Sequence, residues 1–541
     1  MKKEEFIPDP IQAGLARGWT VVDAARLIED RTMHADVVIV GSGAGGGISA
    51  EILARSGLSV IVVEEGGLKS SRDFGMREAE AYPALYQESA ARKTRDKGIT
   101  ILQGRTVGGS TTVNWTSSFR TPPETLAWWR RHYALPEASP EALAPWFEMV
   151  ERRLQIGDWQ AAPNENNDIL RRGAQQLGIP VGFIRRNVKG CWNLGYCGMG
   201  CPTNAKQSML VTTIPAALDH GATLVTRARA QNFLIRGDHV EELLCHALAA
   251  DGLRPSGRAL RLRARHYVVA GGAINSPALL LRSSAPDPSG MLGKRTFLHP
   301  SVISAAFFPQ RVEPWAGAPQ SVYSDHFLHA APIDGPLGYK LEAPPMHPVL
   351  LATVVSGFGP AHAALMREYP HMNGMLALLR DGFHAESAGG SVGLRADGSP
   401  ELDYPLGEVF WEGARRGLLS MAEIQFAAGA RAVHPVHEGA RAYASWQEAR
   451  REIAALPQRL HQTRVASAHV MGGCAMSGDE RLGVTDPLGR YRGLDNLSVH
   501  DGSLFPTSIG ANPQLSIYGL SALLASGLAA TLSGRPAVAL A

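Results

Sequence analysis

With 541 residues, the chain is longer than one hydrophobic core usually serves, so two or more domains are expected. Its apolar content of 45% and charged content of 19% are typical of a globular protein and exclude a disordered or fibrous one. The net charge of only +3 gives no reason to expect a nucleic-acid partner, and five cysteines in this length exclude a disulfide scaffold.

The first 34 residues, 1–34, are predicted to form an N-terminal arm. The two lysines of the opening MKKEEFIPDP have no apolar segment behind them, so we expect no secretory signal and a cytoplasmic protein. Asp9-Pro10 is a typical helix start, and Ile11 and Leu15 would share one face of that helix. The predicted role of the arm is packing.

A strand, a glycine-rich turn, a helix and a second strand follow in residues 35–66. The β-branched run 37–40 predicts a buried parallel strand. Residues 48–55 predict a helix, and the apolar run 60–63 predicts the next strand. This order of elements is the context in which a glycine motif indicates dinucleotide binding.

The turn between the first strand and the helix has the spacing Gly41-x-Gly43-x-x-Gly46. Gly41 would make the tight turn, Gly43 would let the backbone approach a pyrophosphate, and Gly46 would let the helix pack on the strand. The phosphates would lie at the N-terminus of the helix. Glu64, at the end of the second strand, is predicted to accept hydrogen bonds from the ribose hydroxyls.

A second glycine cluster follows a polar stretch, residues 67–98, that we interpret as a solvated connection. Small side chains and exposed backbone N–H groups in this cluster would suit a flat ring or a phosphate. The residues concerned are Gly104, Arg105, Gly108, Gly109, Ser110 and Asn114.

Three cysteines, Cys191, Cys197 and Cys201, lie close together in a glycine-rich loop. Three thiolates could hold an iron–sulfur cluster. The alternative, which we favour, is a tight loop with small buried thiols and no metal site.

The middle of the chain changes in character. Residues 223–235 and 261–270 alternate like strands and could add to the nucleotide-binding sheet. A hairpin around Asp397-Gly398 and a helix over 408–430 predict a separate sheet-plus-helix domain. The uncharged residues 343–366, which contain four prolines, are predicted to form a channel wall or a lid.

The last seventy residues again contain closely spaced motifs. His469 begins one of them, Asp501-Gly502 follows a short predicted strand, and Asn512-Pro513 opens the final helix. That helix is long and apolar enough to cross a membrane, but its alanine, serine and glycine content favours a buried core helix.

Taken in this order, the motifs resemble those of the glucose–methanol–choline (GMC) flavin oxidoreductases. The resemblance covers residues 35–535 and is strongest to the bacterial long-chain alcohol oxidase/dehydrogenase branch. It implies an α/β fold in which a Rossmann-type FAD-binding domain is interleaved with a sheet-plus-helix (α+β) substrate domain.

The resemblance implies a division of the chain. The expected segments are an N-terminal arm (1–34), three parts of an FAD-binding domain (35–125, 206–300 and 466–541), a cap or connecting segment (126–205) and a substrate-binding domain (301–465).

FAD is the cofactor that the resemblance implies. Gly41, Gly43, Gly46 and Glu64 would bind its ADP half, the second glycine cluster to Asn114 would lie on the flavin side, and Asp501, Gly502 and Pro513 would complete the site. Members that bind flavin covalently have a histidine just before the asparagine, where this chain has Val113. Dissociable, non-covalent FAD is therefore expected.

His469 and Asn512 match the family's catalytic pair. An alcohol hydroxyl is a very weak acid, so a base with a pKa near 7 placed against it would be efficient, and His469 fits that role. Asn512 could hold the substrate oxygen through its amide donors.

The predicted function is oxidation of a hydrophobic, long-chain primary alcohol to the aldehyde, with hydride transfer to flavin N5. A flavin-containing lyase of the same family and an iron–sulfur-assisted electron-transfer subunit are the alternatives. The electron acceptor stays open among oxygen, a quinone and a cytochrome, as does peripheral association with a membrane.

Overall fold

Two eight-stranded sheets organise the computed structural model, which describes residues 7–536 and 539–540. The lysines at positions 2 and 3 lie outside the described residues. The strands are β1 (Thr20–Asp23), β2 (Arg31–Val40), β3 (Val60–Val63), β4 (Ile99–Ile101), β5 (Ile156–Gly157), β6 (Gly182–Phe183), β7 (Arg186–Asn187), β8 (Thr223–Thr226), β9 (Ala228–Arg236), β10 (His239–Leu248), β11 (Pro255–Val269), β12 (Lys294–Phe297), β13 (Ser301–Phe307), β14 (Val322–Ser324), β15 (Tyr339–Glu342), β16 (Met372–Leu379), β17 (Gly390–Leu394), β18 (Pro400–Asp403), β19 (Ala432–Pro435), β20 (Val465–Ser467), β21 (Met471–Gly472) and β22 (Leu497–Val499).

The helices are spread along the whole chain. They are α1 (Pro10–Ala16), α2 (Ala44–Arg55), α3 (Glu78–Leu85), α4 (Ser110–Val113), α5 (Pro123–His132), α6 (Pro140–Arg153), α7 (Glu165–Gln176), α8 (Thr213–Asp219), α9 (Gly272–Arg282), α10 (Pro348–Val354), α11 (Gly359–Arg367), α12 (Glu408–Ala427), α13 (Trp446–Ala455) and α14 (Gln514–Ser533).

The first sheet has the order β1-β8-β3-β2-β11-β10-β9, with β22 beside β11. Six of its strands run parallel to one another: β1, β8, β3, β2, β11 and β22. At one edge, β10 pairs antiparallel with both β11 and β9. The apolar ends of β2 and β3 are buried on both faces, as a parallel sheet covered by helices requires. Because α2 follows β2 through the glycine turn, its N-terminus lies at the carboxyl edge of this sheet.

The second sheet is mainly antiparallel and has the order β4-β20-β13-β16-β15-β14-β6, with β19 beside β13. The long helix α12 packs on it through apolar residues that include Leu418 and Met421. A smaller sheet, β18-β17-β12-β21, contains the predicted hairpin. The α/β fold class with a second sheet-plus-helix unit is confirmed.

The chain leaves the first sheet and returns to it, since β22, at residues 497–499, pairs with β11. Two short strands connect parts of the chain that are far apart in sequence. The N-terminal arm supplies β1 to the edge of the first sheet, and β4, within segment 35–125, pairs with β20 in the second sheet. Both strands have only three or four residues, too few to show a period in the sequence.

The final helix, α14, is a core helix of the first unit. It packs against α2 and α6, and residues such as Leu515, Tyr518 and Ala525 are almost fully buried. By length and composition alone it could also cross a membrane, but 56% of its most apolar window is buried inside the protein. Its position therefore agrees with the prediction of a buried helix.

Candidate active site

One cavity of about 940 Å³ lies between the two sheets. Both glycine clusters and both candidate catalytic residues contribute to its lining. The predicted site residues in the lining are Gly41, Gly43, Glu64, Gly104, Gly109, Ser110, Asn114, His469, Asp501, Gly502, Asn512 and Pro513. The remaining three, Gly46, Arg105 and Gly108, lie next to the cavity.

The two glycine clusters meet at Gly43 and Gly109. A Cβ added to Gly109 would lie 2.8 Å from the Cα of Gly43, so the two backbones touch at this point. A Cβ on Gly43 would meet only the Cα of Gly109, at 3.8 Å, and otherwise point into open space. The backbone here is thus accessible to a ligand, which is what a pyrophosphate at a helix N-terminus needs.

The other glycines of the first motif hold the turn together. Gly41 has a φ of +103°, and a Cβ there would lie 2.4 Å from the carbonyl oxygen of Ala270. A Cβ on Gly46 would lie 1.9 Å from the carbonyl oxygen of Gly41, so α2 packs directly on the end of β2. These contacts explain why no larger residue fits at either position.

Glu64 is buried at the end of β3. Its carboxylate accepts hydrogen bonds from the hydroxyl of Ser42 (2.6 Å) and from the backbone N–H groups of Ser42 (3.2 Å) and Gly66 (2.8 Å). Burial raises the pKa of Glu64, although these hydrogen bonds oppose the shift. The carboxylate therefore also stabilises the turn of the first glycine motif, through its hydrogen bonds with Ser42.

Arg105 binds protein groups near the same end of the cavity. Its guanidinium lies 3.2 Å from Glu65, which Arg229 also contacts at 2.9 Å. Burial would raise the pKa of Glu65, but the two arginines lower it. Gly108, with a φ of +86°, turns the chain so that its N–H donates to the hydroxyl of Ser42 (3.0 Å).

The second cluster continues to Asn114 through the short helix α4. The hydroxyl of Ser110 accepts a hydrogen bond from the backbone N–H of Gly104 (2.9 Å), which closes the loop. The amide of Asn114 donates to Gln514 at the start of α14 (2.5 Å). The second glycine cluster is thereby tied to the C-terminal segment that carries Pro513.

Asp501, which lines the cavity, joins the C-terminal segment to α9. Its carboxylate accepts hydrogen bonds from the N–H of Gly272 (2.7 Å), the hydroxyl of Ser276 (2.5 Å) and the N–H of Ser503 (2.8 Å). Two of these donors belong to α9, where a carboxylate at the N-terminus is stabilising. Gly502 follows in the cavity lining.

A flat ring system attached to a pyrophosphate fits this set of residues. At Gly43 no side chain covers the backbone, and a Cβ placed there would point into open space. The N-terminus of α2, His469 and Asn512 line the same cavity. The structure therefore agrees with the chemistry that a dinucleotide cofactor requires.

His469 faces a second histidine that the sequence did not reveal. Its Nδ1 lies 3.1 Å from Nδ1 of His299, and both rings line the cavity. Burial and the positive charge of Lys340 lower the pKa of His469 to about 3. Burial removes water from the ring and Lys340 places a cation nearby, and both effects disfavour the protonated form of His469.

Asn512 lines the cavity just before the first turn of α14. Its amide contacts two buried charges on β15: Nζ of Lys340 donates to Oδ1 (3.2 Å), and Nδ2 donates to Glu342 (3.2 Å). Neither charged residue was predicted as part of the site, since the alternation Tyr-Lys-Leu-Glu is typical of a strand with its charges in solvent.

One part of the lining of this cavity, here called the apolar branch, consists of aliphatic side chains. It is lined in part by the segment predicted as a channel wall or lid, which contains α10. Side chains along this branch include Ile303, Met346, Leu350, Leu351, Val355 and Leu376. Such a wall would accept a hydrocarbon chain.

Arg92 corrects the interpretation of residues 67–98 as a solvated connection. Its side chain is only 6% exposed, lies in the cavity lining and donates to Gln103 (2.8 Å) and Gln87 (3.2 Å). Polar composition alone could not show that amide partners from neighbouring loops would bury this charge.

The cysteine loop holds free thiols. Cys197 lies 3.7 Å from Nη2 of Arg186, and the sulfur of Cys201 accepts from the backbone N–H of Lys206 (3.5 Å). Within residues 7–536 and 539–540, no group of three histidine, cysteine or carboxylate side chains is arranged to hold a metal ion.

Comparisons with known proteins identify the family to which this chain is similar. Family models described as GMC oxidoreductase match residues 82–301 and 386–521. The long-chain-alcohol oxidase FAO1 of Arabidopsis thaliana is 26% identical over 94% of this chain and 69% of its own length. An uncharacterized GMC-type oxidoreductase of Mycobacterium tuberculosis is 32% identical over 93% of this chain and 77% of its own length.

Solved structures show the same fold. A structure of formate oxidase from Aspergillus oryzae RIB40 superimposes with a TM-score of 0.66, covering 92% of this chain and 98% of the formate oxidase chain. Its sequence identity of 16% limits this likeness to the fold.

Proposed function

The chain belongs to the GMC oxidoreductase family, and we propose that it oxidises a hydrophobic, long-chain primary alcohol to the aldehyde. The family match and the alcohol oxidase relatives support an oxidoreductase that acts on CH–OH groups. Support for the finer proposal comes from one observation. His469 and Asn512 line the same cavity as the glycine turns, and the apolar branch belongs to that cavity as well.

Each residue has a defined part in the proposed reaction. Neutral His469 accepts the hydroxyl proton on Nε2, since Nδ1 faces His299. Asn512 donates an N–H to the substrate oxygen and stabilises the charge that develops there. General-base catalysis of this kind contributes roughly 10²–10⁴-fold. FAD, when bound, supplies the hydride acceptor.

Anaerobic mixing with primary alcohols of increasing chain length tests this function. We expect long-chain alcohols to bleach the flavin absorbance. The alcohol concentration that gives half the maximal rate of flavin reduction should fall as the chain lengthens, because each buried methylene adds about 0.8 kcal/mol. An oxidised flavin that no alcohol reduces would contradict the proposal and favour the lyase. Once an alcohol has reduced the flavin, adding oxygen, a quinone or a cytochrome and following its reoxidation would identify the electron acceptor.

The flavin is proposed to bind without a covalent link. Val113, which lines the cavity before Asn114, has no nucleophile with which to attach it. Acid precipitation should therefore release all yellow colour into the supernatant. Colour retained in the pellet would contradict this proposal.

We further propose a cytoplasmic protein that touches membranes through the outer surface of α10 and α11. Residues 343–366 carry no formal charge, and Phe358 between α10 and α11 is 90% exposed. The inner side of α10 lines the apolar branch, so an alkyl alcohol could pass from a lipid surface to the cavity. Phe358→Asp should weaken sedimentation with phosphatidylcholine vesicles, whereas Ile28→Asp, at a residue 86% exposed in the N-terminal arm, should not.

A further inference from the structure

A buried pair of opposite charges contacts the candidate catalytic amide from outside the cavity. Lys340 and Glu342 are alternate residues of β15 and therefore lie on the same face of the strand. Their side chains are 2% and 0% exposed, and Nζ of Lys340 lies 3.0 Å from Oε1 of Glu342. The cavity lining includes Asn512 but neither of these charges.

The two charges bind opposite ends of the Asn512 amide. Lys340 donates to Oδ1 and Glu342 accepts from Nδ2, each at 3.2 Å. An ammonium group can only donate and an ionised carboxylate can only accept, so the pair permits one amide orientation. The opposite orientation would place Oδ1 against the carboxylate and the NH₂ group against the ammonium.

The ammonium group is also fixed by aromatic rings. Nζ of Lys340 lies 3.0 Å from the ring centroid of Phe119 and 4.7 Å from that of Tyr323. Burial lowers the pKa of Lys340 to about 8, while Glu342 opposes the shift, so the ammonium form persists at neutral pH. Because a buried ion pair adds little net stability over an apolar pair, stability alone does not account for these charges.

We propose that Lys340 and Glu342 are positioning residues that hold the Asn512 amide with its second Nδ2 hydrogen available to the substrate oxygen. This role rests on the proposed alcohol oxidation. With Oδ1 and one N–H engaged by the pair, the second N–H is the donor that remains for a ligand.

A double-mutant cycle on the FAD-loaded enzyme tests this role. Lys340→Met/Glu342→Gln removes both charges, keeps an unbranched side chain at 340 and an isosteric one at 342, and lets a Gln amide pair with Asn512 in either orientation. We expect kcat to fall about tenfold, the worth of one hydrogen bond, with KM and flavin content little changed. In an Asn512→Ala background the same two substitutions should cause no further loss of kcat.

A matched control separates positioning from the general cost of removing a buried ion pair. Arg153 and Glu51, a residue of α2, form such a pair. Nε of Arg153 lies 2.9 Å from Oε1 of Glu51, whose side chain is 0% exposed. Arg153→Met/Glu51→Gln should lower the melting temperature but keep kcat. If the β15 variant does not fold, Lys340→Gln/Glu342→Gln provides a neutral pair with full hydrogen-bonding capacity.

Two results would overturn the positioning role: an unchanged kcat in the charge-free variant, or an equal loss with and without Asn512. Failure of the proposed function would look different. The unmodified protein would hold FAD but would not be reduced by any alcohol, and the role of the pair would be refuted with it.

Discussion

Nδ1 of His299 lies 3.1 Å from Nδ1 of His469, and the two rings stack with their centroids 5.2 Å apart. Burial lowers the pKa of both imidazoles, so both are neutral at ordinary pH. One of the two nitrogens must carry the hydrogen, because two lone pairs would repel each other. Only when His469 carries it does its Nε2 have the lone pair of a base. The tautomer of His299 therefore controls the base function of His469.

Replacing His299 tests this control. His299 has a φ of +46°, a conformation that asparagine tolerates and leucine does not. His299→Asn retains an acceptor for the Nδ1 hydrogen of His469, and we expect it to keep most of kcat. His299→Leu removes the acceptor and should lower kcat by up to roughly 10⁴-fold, the loss that a wrong histidine tautomer causes, with a smaller effect on KM.

The leucine variant also introduces backbone strain, of about 1–2 kcal/mol for a residue with positive φ. Its melting temperature and flavin content measure that strain separately from kcat. Equal kcat values for the two variants at equal flavin content would show that the contact does not set the tautomer of His469.

His469→Ala removes the proposed base itself. We expect the variant to retain FAD, since the glycine turns lie elsewhere in the cavity, and to lose turnover by about 10²–10⁴-fold. His329→Ala, at a histidine 53% exposed, is the matched control and should keep full activity. An unchanged kcat in His469→Ala would remove the catalytic assignment.

Gly43→Ala separates cofactor binding from folding. A methyl group at this position would meet only the Cα of Gly109, at 3.8 Å, and would project into the space for the pyrophosphate. We therefore expect a folded protein with an unchanged melting temperature in the apo form and a sharply weaker affinity for FAD, measured by flavin titration.

Two other glycines provide the controls for this experiment. Gly393→Ala, on β17 with no atom within 4 Å of the added Cβ, should change neither property. Gly46→Ala should destabilise the fold, because its Cβ would lie 1.9 Å from the carbonyl oxygen of Gly41. Normal FAD affinity in Gly43→Ala would place the pyrophosphate elsewhere.

The sequence predicted the first strand–helix–strand unit well because its signals are local. The predicted strand over 60–63 is found as β3, and the helix predicted over 48–55 is found as α2 with an earlier start at Ala44. Glycines 45–47 were not expected in a helix, because glycine disfavours one. Close packing explains them, since a Cβ on Gly45 would lie 1.5 Å from the carbonyl oxygen of His500.

The residues that the sequence did not reveal depend on long-range pairing. Lys340 and Glu342 are buried because Asn512, 170 residues away from Glu342, lies between them and the cavity. His299 is identified only by its contact with His469. A single sequence contains no periodic or motif signal for contacts of this kind.

Buried histidines away from the cavity predict acid sensitivity. His266 and His500 both contact the hydroxyl of Ser498, at 3.0 and 3.2 Å, and His500 also contacts Ser49 at 2.9 Å. Burial lowers the pKa of His266 to about 4 and that of His500 to about 3. In the unfolded chain both titrate near 6.5.

Below pH 6.5 the unfolded chain binds protons that the folded protein does not, so acid favours unfolding. For each such histidine the free energy of unfolding should fall by about 1.4 kcal/mol per pH unit between pH 6 and pH 4, and it should not change above pH 7. Equilibrium urea denaturation at pH 7.5, 6 and 5 measures this slope. In the double variant His266→Gln/His500→Gln, the free energy of unfolding should depend less steeply on pH, by about 2.7 kcal/mol per pH unit for the two histidines together. An equal slope in the variant and the unmodified protein would show that these histidines are protonated in the folded state.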